Sequence, residues 1–175
     1  MAFSAADAEQ WIPRLRRYAI ALTGNREAAD DLIQDTLERA WRKRGLWQPG
    51  SDLRAWLFTV MHNVHVNGVR SMRPMESLDD SERGAERANE IPAAASAESG
   101  VVLSELRAAL ARLTDEHRQV ILLVGLEQMS YAEAALVLDV PIGPVMSRLA
   151  RGREQLRRLL ARDAGAGGPG LRRVK

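Results

Sequence analysis

The chain has 175 residues, 46% hydrophobic and 27% charged, enough for a buried core in one medium domain or two small ones. Aromatics make up 5% and cysteine is absent, which excludes a disulfide framework, a thiolate zinc site and a cysteine nucleophile, and favours helix over sheet. The formal net charge of +2 hides a segregation: residues 36–73 carry seven basic against two acidic residues, residues 141–175 nine against two, and residues 75–100 seven acidic against two basic. Two basic blocks flanking an acidic spacer suit a polyanionic partner better than the total suggests.

From Asp7 to Leu22 the positions Trp11, Ile12, Leu15, Tyr18, Ala19 and Leu22 follow helical spacing, with Gly24 as a stop. Asn25 can cap a second helix that turns Leu32, Ile33, Thr36, Leu37, Ala40 and Trp41 to one side and closes near Gly45. The Pro-Gly pair in "LWQPGS" predicts a loop. Ser51 or Asp52 then caps a third helix, with Leu53, Trp56, Leu57, Val60, Met61 and Val64 inward. These three helices can share a core, and residues 1–72 are expected to form a first domain.

Residues 73–100 show no sustained apolar period and read as an acidic linker, too long for an ordinary connection. A second domain, 101–162, starts with a helix on Leu103, Leu106, Leu110 and Leu113, followed by one that Thr114 can cap and that contains "VILLV". Residues 163–175, rich in Gly, read as a flexible tail. Neither an internal repeat nor strand alternation is present, so the expected fold is all-α.

"SYAEAALVLDVPIGPVMSRLARGREQLRRLL", residues 130–160, carries the strongest local grammar. Ser130 and Glu133 make a capping box for a short helix, which Pro141 ends. A longer helix restarts at Ile142–Pro144, where a proline is tolerated. Short helix, tight turn and longer helix make a helix-turn-helix. Val145, Leu149, Gly152, Leu156 and Leu159 form one stripe of the second helix, with Gly152 allowing close approach. The opposite side carries Pro144, Ser147, Arg148, Arg151, Gln155 and Arg158. By pattern alone this is either a DNA recognition helix or a solvated arginine-rich surface.

"ADDLIQDTLERAW" followed by "LWQPGSDLRAWLFTVMHNVHVNGVR" resembles region 2 of the extracytoplasmic-function (ECF) sigma factors of bacterial RNA polymerase, with a hint of their general-stress subgroup. "LARLTDEHRQVILLVGLEQMSYAEAALVLDVPIGPVMSRLARGREQL" is similar to their region 4. The resemblance covers both domains in order and omits the linker and tails. It implies that Asp31, Gln34, Asp35 and Glu38 meet the clamp helices of core RNA polymerase, a contact that should weaken with salt. It implies that Arg54, His62, Asn63, Asn67 and Arg70, with His65 nearby, face the melted, single-stranded downstream promoter element. Asn63 matches the family's habitual asparagine, whereas Asn67 stands where an aspartate is usual. Trp56 and Phe58 read as core rather than stacking platforms.

For the duplex upstream element the resemblance points to Pro144, Met146, Ser147, Arg148, Arg151 and Arg153. The family pattern there is Val-Gly-Thr-Val-Lys-Ser-Arg, and this chain has Ile142-Gly143-Pro144-Val145-Met146-Ser147-Arg148. Met146 removes a cation and offers an apolar tip that suits a thymine methyl. The linker would thread polymerase channels, imitating a phosphate chain, or act as a solvating tether. An anti-sigma factor is implied as a further partner.

No metal or cofactor is expected, because His62 and His65 have only His117 as a further histidine and no signalled carboxylate ligand. No apolar run approaches the ~18 residues of a membrane span and no signal-peptide core opens the chain, so cytoplasmic localisation without membrane insertion is expected. A stand-alone helix-turn-helix regulator would leave "DDLIQDT" and "RAWLF" unexplained. An enzyme would need a catalytic constellation that no motif supplies.

Overall fold

A computed structural model describes residues 3–72 and 97–166. They form α1 (Ala5–Glu9), α2 (Ile12–Thr23), α3 (Arg26–Arg42), α4 (Leu53–Met72), α5 (Ala97–Ala111), α6 (Asp115–Ile121), α7 (Tyr131–Leu138) and α8 (Ile142–Ala166), with no strand among the described residues. The all-α fold expected from composition and periodicity is present.

Local signals set most helix ends. Gly24 closes α2 in the left-handed conformation, φ 68°, which glycine adopts without a Cβ penalty. Asn25 Oδ1 accepts from the Ala28 amide at 3.0 Å and starts α3, and Asp52 Oδ1 accepts from the Arg54 amide at 2.8 Å and starts α4. Ser130 and Glu133 complete the expected capping box, at 3.2 Å and 2.7 Å.

Several expectations are corrected. The first helix is broken into α1 and α2 around Gln10–Trp11, because Pro13 sits in the first turn of α2. A proline ring would clash with the carbonyl of Glu9 if the helix ran through. Trp41, expected inward, is 46% exposed, and the Arg44 guanidinium lies 4.4 Å above its ring. Leu103 is also exposed. The helix expected near Val101 starts at Ala97, and α8 runs on to Ala166. "VILLV" straddles a junction, since α6 ends at Ile121 and a π-helical turn covers Leu122–Leu126. The rest of the linker and tail lies outside the described residues.

Leu15, Tyr18, Leu22, Leu57, Phe58 and Met61 fill the core of the first half, and Val120, Leu123, Val137 and Val145 that of the second. Tyr18 meets Phe58 edge-on at 5.2 Å. Burial, reinforced by the charges of Asp115 and Glu127, pushes the Tyr18 hydroxyl far above its ordinary value and keeps it neutral. Trp56 packs edge-on against Phe3 at 5.4 Å, and Phe58 is buried, in line with the core reading of both rings. Gly152 permits the α6–α8 crossing: a Cβ there would stand 2.9 Å from Ile121 Cδ1 and 3.1 Å from His117 Cβ.

The two halves do not stand apart. α4 lies against α7, and α2 against α5, α6 and the π turn, so the apolar cores form one cluster. The two domains expected from the sequence are thus packed against each other.

Candidate nucleic-acid interface

α3 buries Ala29, Leu32, Ile33, Thr36 and Ala40 and thereby turns Asp31, Gln34, Asp35 and Glu38 to solvent. Thr36 is tolerated in the core because its hydroxyl donates to the Leu32 carbonyl at 2.6 Å. Glu38 pairs with Arg42 at 3.3 Å. Beside this acidic face lies an open apolar groove of about 370 Å³, lined by Phe3, Ala8, Ile12, Leu37, Ala40 and Trp41 among others. A charged face edged by apolar surface can hold a basic helical partner.

On α4 the expected residues divide. Asn63, Asn67 and Arg70 are exposed. Arg54 and His62 are instead drawn into the contact between the halves. Arg54 Nη2 lies 3.7 Å from Glu133 Oε1, and its Nε is buried without a hydrogen-bond partner. His62 Nδ1 donates to Gln119 Oε1 at 2.6 Å, and His65 Nε2 donates to Asp115 Oδ1 at 2.8 Å.

The helix-turn-helix is formed by α7 and α8. Asp139 closes α7 in the left-handed conformation, φ 52°, and Pro141 forces the chain to turn before α8. Val145 and Leu149 are buried beneath α8, and Pro144, Met146, Ser147, Arg151 and Arg153 are exposed above it. Arg148 is less free, with its Nε 3.3 Å from Glu116 Oε2. Gln155 faces α6 instead of solvent and accepts from His117 Nδ1 at 3.2 Å.

Sequence reasoning missed the groups that join the halves. Glu127 has no exposed surface; Arg17 Nη2 donates to its Oε1 at 3.0 Å, and Arg14 Nε stands 3.3 Å from its Oε2. The one available signal was a lone carboxylate in the apolar run "LLVGLEQM", since a charge placed there must be paired. Among the described residues no three His, Asp or Glu side chains cluster as a metal site, and no helix is long and apolar enough to cross a membrane.

Burial holds the His62 imidazole below its ordinary value. Against it act the Gln119 bond and the charges of Asp115 and Asp139, while His65 adds to the depression. In an opened molecule the imidazole would be hydrated and take up a proton more readily. The contribution of His62 to closure should therefore be present above about pH 6.5 and be lost as pH falls through and below that value. For Asp115, burial pushes the carboxyl up, but the His65 bond and charge, the Gln119 bond and Arg118 outweigh it and hold it below the usual range. It stays ionised across the His62 window and loses its contribution only in stronger acid. Small-angle scattering from about pH 7.5 to 5.5 should show expansion, and the response should be smaller in His62→Gln; an equal response in that variant would assign it elsewhere.

A family model described as the Sigma2 domain of PhyR matches residues 9–62, and one described as Sigma-70, region 4 matches residues 103–156. The ECF RNA polymerase sigma factor EcfG of Rhodopseudomonas palustris is 37% identical over 153 residues, 87% of this chain and 82% of the relative. The sigma factor RpoE of Bartonella quintana, solved in complex with the anti-sigma factor NepR, is 34% identical with a TM-score of 0.74, over 90% of this chain and 96% of that one. CnrH, solved with the cytosolic domain of CnrY, is 26% identical with a TM-score of 0.61, over 89% and 88%.

Proposed function

Because the chain belongs to the ECF RNA polymerase sigma factors, we propose that it is a non-catalytic initiation subunit that brings core polymerase to a defined set of promoters in the cytoplasm. Residues 1–72 act as the polymerase-binding half, with Asp31, Gln34, Asp35 and Glu38 as the docking face. Arg54, His62, Asn63, Asn67 and Arg70 hold the melted downstream element. Residues 101–162 read the upstream element as duplex through Pro144, Met146, Ser147, Arg148, Arg151 and Arg153, and residues 73–100 tether the two. The packed arrangement is the resting state, and docking on polymerase releases Arg54 and His62 from α6 and α7. An anti-sigma factor holds the chain inactive until a stress signal, a reading supported by the relatives solved with NepR and CnrY.

The observation that carries this reading is one chain bearing two separate exposed faces, acidic on α3 and basic on the recognition helix α8. Neither basic block is large, so the chain alone should bind DNA weakly, and simultaneous engagement on polymerase should strengthen it.

Purified chain and bacterial core polymerase on pooled genomic fragments test it, with run-off transcripts sequenced. The expected result is a set of start sites sharing two spaced upstream elements, present only when both proteins are. Tight duplex binding by the chain alone, with no transcripts, would refute the reading.

A further inference from the structure

One exposed flank of the first turns of α8 is apolar where DNA-reading helices often carry donors. Ile142 and Met146, one above the other at i and i+4, are 47% and 51% exposed. Ala150 continues the stripe, also exposed, and Arg153 follows it, with Ser147 and Arg151 alongside. Val145 and Leu149, which are buried, supply the packing that holds the helix. Ile142 and Met146 are thus not needed for the core of this half. Arg148, the first cation along α8, is already engaged by Glu116 at 3.3 Å.

The N-terminal turns of a recognition helix meet base edges, and the later turns meet phosphates. Here Arg151 and Arg153 stand where phosphates would be met, and the base-facing turns have few donors. In the major groove only thymine presents a methyl group, and it is recognised by apolar contact. Resting on the function proposed above, we propose that Met146 and Ile142 are specificity residues that read thymine methyl groups in the upstream element. Four residues of helix rise about 6 Å, and base pairs are spaced about 3.4 Å, so the two side chains address thymines about two base pairs apart. Specificity at these positions comes from a methyl group and its exclusion from water, with no hydrogen bond to the base.

The test uses the chain with core polymerase on a promoter that the pair transcribes. Each thymine of the upstream element is replaced in turn by deoxyuridine, which keeps every hydrogen-bonding group and lacks the methyl. Loss of one buried methyl contact should lower promoter occupancy about fourfold at one or two of these positions, and the same change outside the element should have no effect. Met146→Ala should give a similar loss on the unmodified promoter and no additional loss on the deoxyuridine template at its position; Ile142→Ala should do the same at the other. Full occupancy on every deoxyuridine template, in an element that is still required, overturns the inference and leaves the sigma function standing. So does a Met146→Ala loss that is the same size whether or not the methyl is present, which would assign Met146 to a protein contact. Absence of transcription from every promoter would sink the functional reading and this inference with it.

Discussion

Replacing Arg14 and Arg17 together by glutamine is expected to open the molecule. Glu127 is carried on the loop after the π turn, fully buried, and the two cations that face it both come from α2 in the other half. Arg17 donates a hydrogen bond to Oε1, whereas Arg14 contributes charge without an aligned bond to Oε2. With both cations gone, closure would strand a carboxylate in the interior, at about 3 kcal/mol or somewhat less because the arginines are half-exposed and screened. Opening avoids this by hydrating Glu127, so the closed-to-open ratio should fall about a hundredfold. Small-angle scattering reads this as a rise in the radius of gyration. Adding Glu127→Leu to the double variant should restore compactness, since an apolar side chain needs no partner there. An unchanged radius in the double variant would show that the apolar contact of α4 with α7 holds the halves together without help.

Arg118→Met is expected to lower thermal stability more than any surface substitution. The guanidinium donates to the carbonyls of Leu110, Ala111 and Leu113 at 2.9 Å, 3.0 Å and 3.0 Å, and across to Leu22 at 2.8 Å. The last carbonyls of α5 and α2 have no partner within their own helices, and a cation at a helix C-terminus is favourable in itself. Removing all four bonds should cost about 3 kcal/mol, or a fall in Tm of about 10 °C for a chain of this size. Arg118→Lys keeps the charge but cannot fan donors to four carbonyls, and should fall between the two. Calorimetry of the three proteins checks the order, and a Tm for Arg118→Met equal to that of the parent chain would refute it.

The features legible in the sequence were those set by neighbours along the chain. Asn25, Thr114, Ser130 with Glu133, and Gly24 act within four residues of themselves, and each does what its local pattern implied. Gly152 was legible because a glycine on an apolar helical stripe has few other uses. Pro13 carried a signal that was passed over: its ring interrupts the periodicity it sits in. Trp41 misled because helical spacing gives a direction and not a neighbour; it points over the rim of the core, where Arg44 covers it. The polar contacts between the halves could not be read. Glu127 and Arg17 are 110 positions apart, and pairing over such a distance leaves no period in the sequence. Contacts of the same kind engage Arg54 and His62, two residues the resemblance assigns to DNA, with Glu133 and Gln119 in the packed arrangement.

The short helix α6 leaves an imprint on how this sequence can change. Asp115 and Gln119 grip the histidines of α4, Glu116 holds Arg148, His117 and Ile121 bear on Gly152, and Arg118 ties off the ends of α5 and α2. A helix of only seven residues therefore has no idle side on which substitutions could accumulate unnoticed. Divergence in α6 should be slow and should come in matched pairs with α4 or α8, whereas the exposed turns of α8 can change one residue at a time while the architecture stays the same.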